Sequence, residues 1–460
     1  MQKELFMSKE IKLALLMATS LFMEMLDGTI VTTAQPQMAA YFHTSMSQIS
    51  LLISSYLVTT AIFIPMSGWL ASRFGNKRIW LSAILLFTIS SMGSALSPNL
   101  SVLIVMRVLQ GFSGALMTPT ARLIVLEKAP TNMLLKMTSY FVWPALIAPA
   151  IAPVLGGMII TYLSWHWIFL INLPIGMIAF IFGQKLIQTD TNLVKNPFDW
   201  VGFFEIAIAS TAVVVGAEIV TNSQILIKTL GLIMIVVGLI LAVITCQHLL
   251  RTPEPLFSLK AMGAKSFRIS QTSGSILWLS VSALPYLLTI YLQNIFHWSA
   301  IVAGTYVIFI FLGNIGIKPF TTIIIKTFTY KGALLGSFLI VLLSSLAFFF
   351  IDPTTPKFII MFLAFVAGVG RSLGLTAFNG LILSEIIPKD RNGANTLNAV
   401  TSSLVQGLGI SLVSLFISLM SSFVSSNLAY SLSFIFLGLM MLYPIWEISR
   451  IPKEMGSQTI

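Results

Sequence analysis

The feature that most constrains this chain is a succession of apolar runs, each about twenty residues long and separated by short polar segments. A run of that length matches the hydrocarbon thickness of a bilayer when coiled as an α-helix. Fourteen runs are counted, near residues 11–33, 48–70, 79–97, 100–126, 135–160, 165–188, 199–220, 226–248, 270–293, 300–325, 333–351, 356–383, 395–421 and 427–447. With 57% hydrophobic and 9% charged residues, the chain has far less polar surface than a soluble protein, which carries about 25% charged residues. An all-α polytopic membrane protein is expected. The first run follows Lys3, Lys9 and Lys12 and holds Glu24 and Asp27. It is too long for a cleaved leader core and reads as the first span.

Basic residues give the orientation. Of the 26 lysines and arginines, 21 fall in segments that are cytoplasmic if the N-terminus is cytoplasmic. Lys228 and Lys357 fall outside, and Arg107, Lys318 and Arg371 lie within spans. One missed helix would invert every later loop, so this bias supports both the span count and a cytoplasmic side for both termini. The net charge of +11 is dispersed singly rather than in a stripe, so nucleic acid is not expected as a partner. Trp69, Trp80, Trp165, Trp167, Trp200, Trp298 and Trp446 fall near predicted span ends, where aromatic belts form. One cysteine, Cys246, rules out an intramolecular disulfide, and the four histidines have no ligand spacing, so neither a metal nor a cofactor is expected. There is no P-loop, no H-E-x-x-H and no nucleophile elbow, so the chain is not read as an enzyme or as driven by ATP.

The intramembrane charges carry the functional reading. A carboxylate at membrane depth is a functional-site hypothesis by default, because it costs several kcal/mol unless it faces a cavity, meets a cation or takes up a proton. Asp27, in Leu26-Asp27-Gly28-Thr29-Ile30-Val31, meets that description, and Glu24 lies on the same helical face. Span one runs outward and span four inward, which places Asp27 and Arg107 at a similar depth of roughly 10 Å below the outer surface. Glu24 lies one turn deeper. An Asp–Arg pair there balances the Arg, which favours the ionised acid, against desolvation, which favours the protonated one; a static ion pair locking two helices is the alternative. Glu205 reads equally as an inter-helix hydrogen bond or a transport residue, and Lys318 is expected to snorkel to the inner surface. Arg371 lies near mid-membrane in span twelve; Arg371, Asn314, Gln293 and Asn398 are candidates to line a cavity.

A weak echo links Ser72-Arg73-Phe74-Gly75-Asn76-Lys77 after span two with Lys326-Thr327-Phe328-Thr329-Tyr330-Lys331 after span ten. Only Phe and Lys match, but the eight-span offset suits two six-helix halves separated by two extra helices. The expected division is an N-terminal bundle at 1–188, two extra helices with a linker at 189–268, and a C-terminal bundle at 269–460.

These residues, together with Gly68-Trp69-Leu70-Ala71-Ser72-Arg73-Phe74-Gly75-Asn76-Lys77-Arg78, Arg107-Val108-Leu109-Gln110-Gly111 with Gly114, Pro149, Pro153, Gly156-Gly157, Ser164 to Gly176, and Phe198-Asp199 with Gly202, resemble the major facilitator superfamily. Within it they resemble the fourteen-helix drug:proton antiporter branch and its MdtD-like group. The resemblance implies the major facilitator fold and proton coupling through Asp27, Glu24 and Arg107. It also implies a conformational latch at Gly68, Ser72, Arg73, Gly75, Lys77 and Arg78, and an antiporter-like span five at Pro149, Pro153, Gly156 and Gly157. The sequence departs from the family at Ser72, where an acid is usual, and at Ala148 and Ala152, where glycine is usual. Ser72 remains able to cap a helix. The implied function is proton-driven export of small amphipathic compounds or drugs by a monomer, with a small-molecule substrate, protons, lipid and a periplasmic adaptor as partners. The alternatives are an importer or symporter of a nutrient or metal chelate, favoured by Ser72 and the altered span five, and a non-transporting sensor or scaffold.

Reporter fusions test the topology: fusions at Ser457 are expected to report cytoplasm, and fusions near Ser223 the opposite side. A periplasmic Ser457 would mean an odd number of spans.

Overall fold

The computed structural model describes residues 9–44, 46–128, 134–189, 197–220, 225–253, 255–257, 259–382, 384–386 and 391–456. Lys3, Lys195 and Lys389, counted in the charge bias, and the reporter positions Ser223 and Ser457 lie outside them. The chain divides into two compact units, Met1–Phe198 and Asp199–Ile460.

The first unit contains α1 (Lys9–Tyr41), α2 (Met46–Phe74), α3 (Asn76–Ala95), α4 (Leu100–Lys128), α5 (Leu134–Tyr162), α6 (Trp167–Leu170) and α7 (Asn172–Leu186). The second contains α8 (Trp200–Ile219), α9 (Ile225–Arg251), α10 (Lys265–Asn294), α11 (Ala300–Gly316), α12 (Lys318–Phe348), α13 (Lys357–Leu381), α14 (Arg391–Met420), α15 (Ser426–Leu439) and α16 (Leu442–Ser449). Among the described residues every regular element is helical. In a bilayer that is a physical requirement, because a helix satisfies its own backbone polar groups.

Twelve helical stretches are long and apolar enough to cross a membrane, and two shorter ones, Ile147–Tyr162 and Ile301–Gly316, belong to spans five and ten. The fourteen-span reading therefore holds. Span six comprises α6 and α7, span ten continues from α11 into the start of α12, and span fourteen comprises α15 and α16; the joining residues Ile171, Met440 and Met441 keep helical backbone angles. α8 and α9 pack mainly on each other, and α8 also touches α14. Leu230, Ile233, Val236, Val237 and Ile240 leave α9 clothed in exposed apolar side chains, as befits a lipid-facing surface.

The echo seen in the sequence has a conformational counterpart at a constant spacing of 254 residues (43 to 297, 75 to 329, 77 to 331). His43 (φ 50°) and His297 (φ 55°) each take the left-handed conformation just after a helix, α1 and α10, the usual way to end a helix by reversing the chain. Gly75 (φ 92°, ψ 142°) and Thr329 (φ 62°, ψ 172°) make the turns that follow spans two and ten. Lys77 Nζ donates to the Gln184 carbonyl at 2.9 Å, and Lys331 Nζ donates to the Ser449 and Ile451 carbonyls at 2.7 and 2.8 Å. In each unit, the same lysine after the same turn ties down the end of a later helix.

Two expectations need correction. Trp80 is fully buried and its Nε1 donates to Ser20 Oγ at 2.7 Å, while Trp165 is 1% exposed and stacks on His166. Neither joins an aromatic belt; Trp80 belongs to the core of the first unit with Met17, Phe87 and Ile124. Position near a span end fixes depth but not the side of the helix that faces protein.

The Thr329 turn lies in a region of backbone space that is nearly exclusive to glycine. Gly75 meets the same demand without a side chain, so Thr329→Gly is expected to stabilise the protein by about 1–2 kcal/mol, read as a higher midpoint of tryptophan-monitored unfolding in detergent. A lower midpoint would show that the threonine side chain outweighs the strain.

Candidate functional site

Arg107, Gln110, Gly111 and Gly114 follow one another at helical spacing on one face of α4. The face is shaped for close approach: a Cβ on Gly111 would stand 2.6 Å from the Tyr56 carbonyl oxygen of α2, so only glycine lets the two backbones meet there. Thr60 Oγ1 also donates across this seam to the Gly111 carbonyl at 3.2 Å. The approach carries the arginine to α2, where Nε donates to the Leu52 carbonyl at 3.1 Å and the guanidinium carbon lies 4.5 Å from the centre of the Tyr56 ring. Phe169 of α6 stands 5.8 Å away on another side.

Arg107 Nη1 donates to Asp27 Oδ2, closing a fully buried ion pair, and also to Gln110 Oε1 at 3.0 Å. Asp27 Oδ1 accepts from Asn172 Nδ2 at 3.1 Å and from Gln110 Nε2 at 3.4 Å. Gln110 Nε2 donates to Ser91 Oγ at 2.7 Å, and Ser94 Oγ donates to Gln110 Oε1 at 3.3 Å. Four helices, α1, α3, α4 and α7, therefore supply a shell in which Asp27, Ser91, Ser94, Arg107, Gln110 and Asn172 are all 0% exposed. Hydrogen bonds to a charged group are the strong ones in a medium of low dielectric. This shell offsets much of the cost of placing two charges among hydrocarbon, with Arg107 Nη2 left without a hydrogen-bond partner.

The pairing of Asp27 with Arg107 was legible from depth. Its supports were less so: Gln110 and Asn172 appear in the sequence only as motif letters, and Tyr56, Ser91 and Ser94 carry no motif at all. The serines crowded into apolar span three, at 90, 91 and 94, are the signal that could have found them. Glu24, one turn away, stays outside the shell; it is half-buried, and its Oε2 has no hydrogen-bond partner.

At the turn after α2, Ser72 does not cap α3. Its hydroxyl donates back to the Trp69 carbonyl at 2.9 Å, and Gly75 occupies the cap position. A hydroxyl competing for its own helix's carbonyls has this local alternative. Arg73 sits 5.3 Å from the Trp69 ring, Lys77 reaches Gln184, and Arg78 is exposed. Gly68 is open to its surroundings. In α5, Pro149 and Pro153 lie within the helix, Gly156 abuts Ile30 and Thr33 of α1, and Gly157 is buried.

In the second unit, Arg371 Nη2 donates to the Val281 carbonyl. Val281 lies four residues before Pro285 inside α10, so that carbonyl has lost its helical donor to the proline. The arginine replaces the missing N–H, while its Nε and Nη1 have no partner. Asn398 Oδ1 accepts from Gln271 at 3.1 Å, the Asn314 carbonyl accepts from Ser372 at 2.8 Å, and Gln293 is half-buried. These four residues make separate contacts rather than one cluster. Lys318 does not simply snorkel: Nζ donates to Thr376 Oγ1 at 2.9 Å. Glu205 Oε2 is buried without a partner. Asp199 accepts from the backbone N–H groups of Gly202 and Leu256 and bonds His248 Nε2 at 3.0 Å. Burial alone would raise its carboxyl, but these bonds hold it below the usual carboxylate range. No cluster of metal-ligating side chains occurs among the described residues.

A many-spanned helical bundle, with a charged pair sealed at mid-helix and no reactive constellation around it, has the construction of a membrane carrier. The family comparison agrees: the sequence model of the Major Facilitator Superfamily matches residues 17–410, and the chain belongs to that family. It is 32% identical over 407 residues to a protein of Pectobacterium atrosepticum named for multidrug resistance, MdtD, covering 88% of this chain and 87% of the relative. It is 28% identical over 448 residues to a protein of Haemophilus influenzae named as transport protein HsrA, covering 96% of each. Among solved structures it resembles a peptide transporter POT in complex with sulfate (TM-score 0.71, 16% identity, 98% of this chain and 97% of that one). It also resembles a D-xylose-proton symporter (TM-score 0.65, 16% identity, 97% and 98%). At such identities these two likenesses speak for the fold alone.

The proline-freed carbonyl makes a double-mutant cycle informative. Arg371→Met should destabilise the protein by about 1–3 kcal/mol by leaving the Val281 carbonyl unpaired, and should do so by clearly less in a Pro285→Ala background, where residue 285 again has an N–H. Additive effects in thermal unfolding would mean that the arginine and the proline act independently.

Proposed function

We propose that this chain is a proton-coupled antiporter that exports small amphipathic compounds across a bacterial inner membrane by alternating access. Six-helix bundles at 1–188 and 269–460 move in this mechanism, and 189–268 supplies two extra helices. The observation that carries the reading is the buried Asp27–Arg107 pair: an acid held at membrane depth beside a permanent cation is suited to binding and releasing a proton as its surroundings change. The relatives' names point towards drugs and transport. Asp27 carries the coupling proton, Arg107 sets its balance, and half-buried Glu24, free of the hydrogen-bonded shell, tunes preference for cationic over neutral compounds. The turn from Gly68 to Arg78 gates the inner side. Pro149, Pro153, Gly156 and Gly157 govern how span five bends against span one. Arg371, Asn314, Gln293 and Asn398 contribute polar groups to the second bundle's share of the cavity. The carrier works as a monomer and passes its substrate towards a periplasmic adaptor.

One observation favours a symporter of a nutrient or metal chelate as a second reading. The span-five positions where glycine marks antiporters are Ala148 and Ala152, both fully buried in α5, and their methyl groups stiffen the helix. The direction of coupling separates the two readings: acid-inside everted vesicles should accumulate an antiported dye and lose a symported one.

In that assay, run against cationic dyes and neutral antibiotics, Asp27→Asn is expected to abolish uphill accumulation while leaving downhill exchange partly intact. Glu24→Gln should chiefly weaken cation binding. Arg107→Lys should fail, because an ammonium is a point charge without the fork that engages Asp27, Gln110 and Leu52 together. Full gradient-driven accumulation by Asp27→Asn, at expression matched by immunoblot, would move the coupling site to Glu24, Glu205 or Arg371.

A further inference from the structure

Asp27 is ringed by donors. Oδ2 takes Arg107 Nη1, and Oδ1 takes Asn172 Nδ2 and Gln110 Nε2. The other titratable groups acting on it are Tyr56 from α2 and Glu24 along α1; α7 contributes the neutral amide of Asn172 and α3 the hydroxyl of Ser91 beside it. Such a shell suits a carboxylate and no other form, since a proton placed on Oδ1 would point at two N–H groups and find no acceptor. For the acid to be loaded with a proton, one neighbour must change from donor to acceptor.

Only one neighbour is built to do so. Arg107 has no acceptor. Gln110 is committed at both ends, with Oε1 taking Arg107 and Ser94 and Nε2 giving to Ser91. Asn172 is committed at one end: its Nδ2 serves Asp27 and, at 3.4 Å, Ser91, while its Oδ1 is buried without a partner. The two ends of a carboxamide are nearly the same size, and rotation about its terminal bond is soft. A half-turn would put Oδ1 where Nδ2 stands, within reach of both Asp27 Oδ1 and Ser91 Oγ. There it would accept the new Asp27 O–H and also the Ser91 hydroxyl proton; the recorded Ser91 contacts with Gln110 and Asn172 both use its oxygen as acceptor.

We infer that the Asn172 side chain is the proton-state switch of the site, donating to ionised Asp27 and turning over to accept from protonated Asp27. This rests on the reading of Asp27 as the coupling acid. The step is a simple one. A hydronium ion delivers the proton: its O–H bond breaks, the Asp27 Oδ1–H bond forms and water is released, while one unpaired amide end is exchanged for the other, so the turnover itself adds little bias. Asn172 is the first residue of α7 and follows Ile171, whose backbone is itself helical. It is a positioning residue, acting through Asp27.

Infrared difference spectroscopy on the full chain in liposomes, grown with carbonyl-labelled asparagine and stepped from alkaline to acid pH, tests the switch directly. The expected result is a carboxylic-acid carbonyl band that Asp27→Asn removes, accompanied by a shift of an asparagine side-chain band to lower wavenumber that Asn172→Leu removes. The Asp27 band without an asparagine shift would overturn the switch while keeping Asp27 as the proton carrier; no Asp27 band at all would instead refute the coupling reading on which it rests. In everted vesicles, Asn172→Leu, which can neither give nor accept, should lower gradient-driven accumulation about tenfold. Asn172→Ser, whose hydroxyl does both, should restore most of it. Equal loss in both variants would leave Asn172 a packing residue. If the leucine variant fails to fold, the wild-type spectrum and the serine variant decide alone.

Discussion

Two opposite charges enclosed in hydrocarbon set the terms for the first unit. Each ion gives up water, and the mutual attraction of the pair repays this only if every remaining lone pair and N–H is met. Asp27 meets the condition through Gln110 and Asn172, and Arg107 meets most of it through the Leu52 carbonyl, Gln110 and the Tyr56 ring beneath the guanidinium, its Nη2 alone being left without a hydrogen-bond partner. That list dictates much else. Gly111 must be small so that α2 and α4 close up, α7 must begin where Asn172 reaches Asp27, and span three must carry serines where a purely apolar helix would otherwise serve. Glu24 stands outside this shell, and its Oε2 is buried without a hydrogen-bond partner.

The second unit repeats the chain reversals of the first but not its electrostatics. His43 and His297, Gly75 and Thr329, and Lys77 and Lys331 recur at one spacing because they solve one mechanical problem, that of ending a helix, turning and anchoring the next. Turn geometry is local and tolerates divergence of the apolar residues around it, which explains how the repeat persists where sequence similarity has shrunk to a phenylalanine and a lysine. At position 329 a threonine holds the left-handed conformation that glycine holds at position 75. The buried charge has no such counterpart: Arg371 meets a carbonyl freed by Pro285, with no carboxylate bonded to it among the described residues. The two units thus share their chain reversals and differ in polarity.

The sequence by itself determined the class and depth of nearly everything. Apolar length counts spans because bilayer thickness is fixed, and 1.5 Å per residue places Asp27 level with Arg107. What it left open was rotation and neighbourhood. Trp80 and Trp165 stand near span ends, yet packing turns them inward; Ser72 stands beside a helix start, yet bonds backward; Arg371 stands at mid-membrane, yet bonds to a proline kink on another helix. Asn172 and Gln110 are polar letters in the chain, and only the meeting of α1, α3, α4 and α7 makes them donors to one carboxylate. Depth is a property of a single helix and can be counted along it, whereas the partner of a side chain depends on how several helices are turned against one another, and that is settled only when they pack.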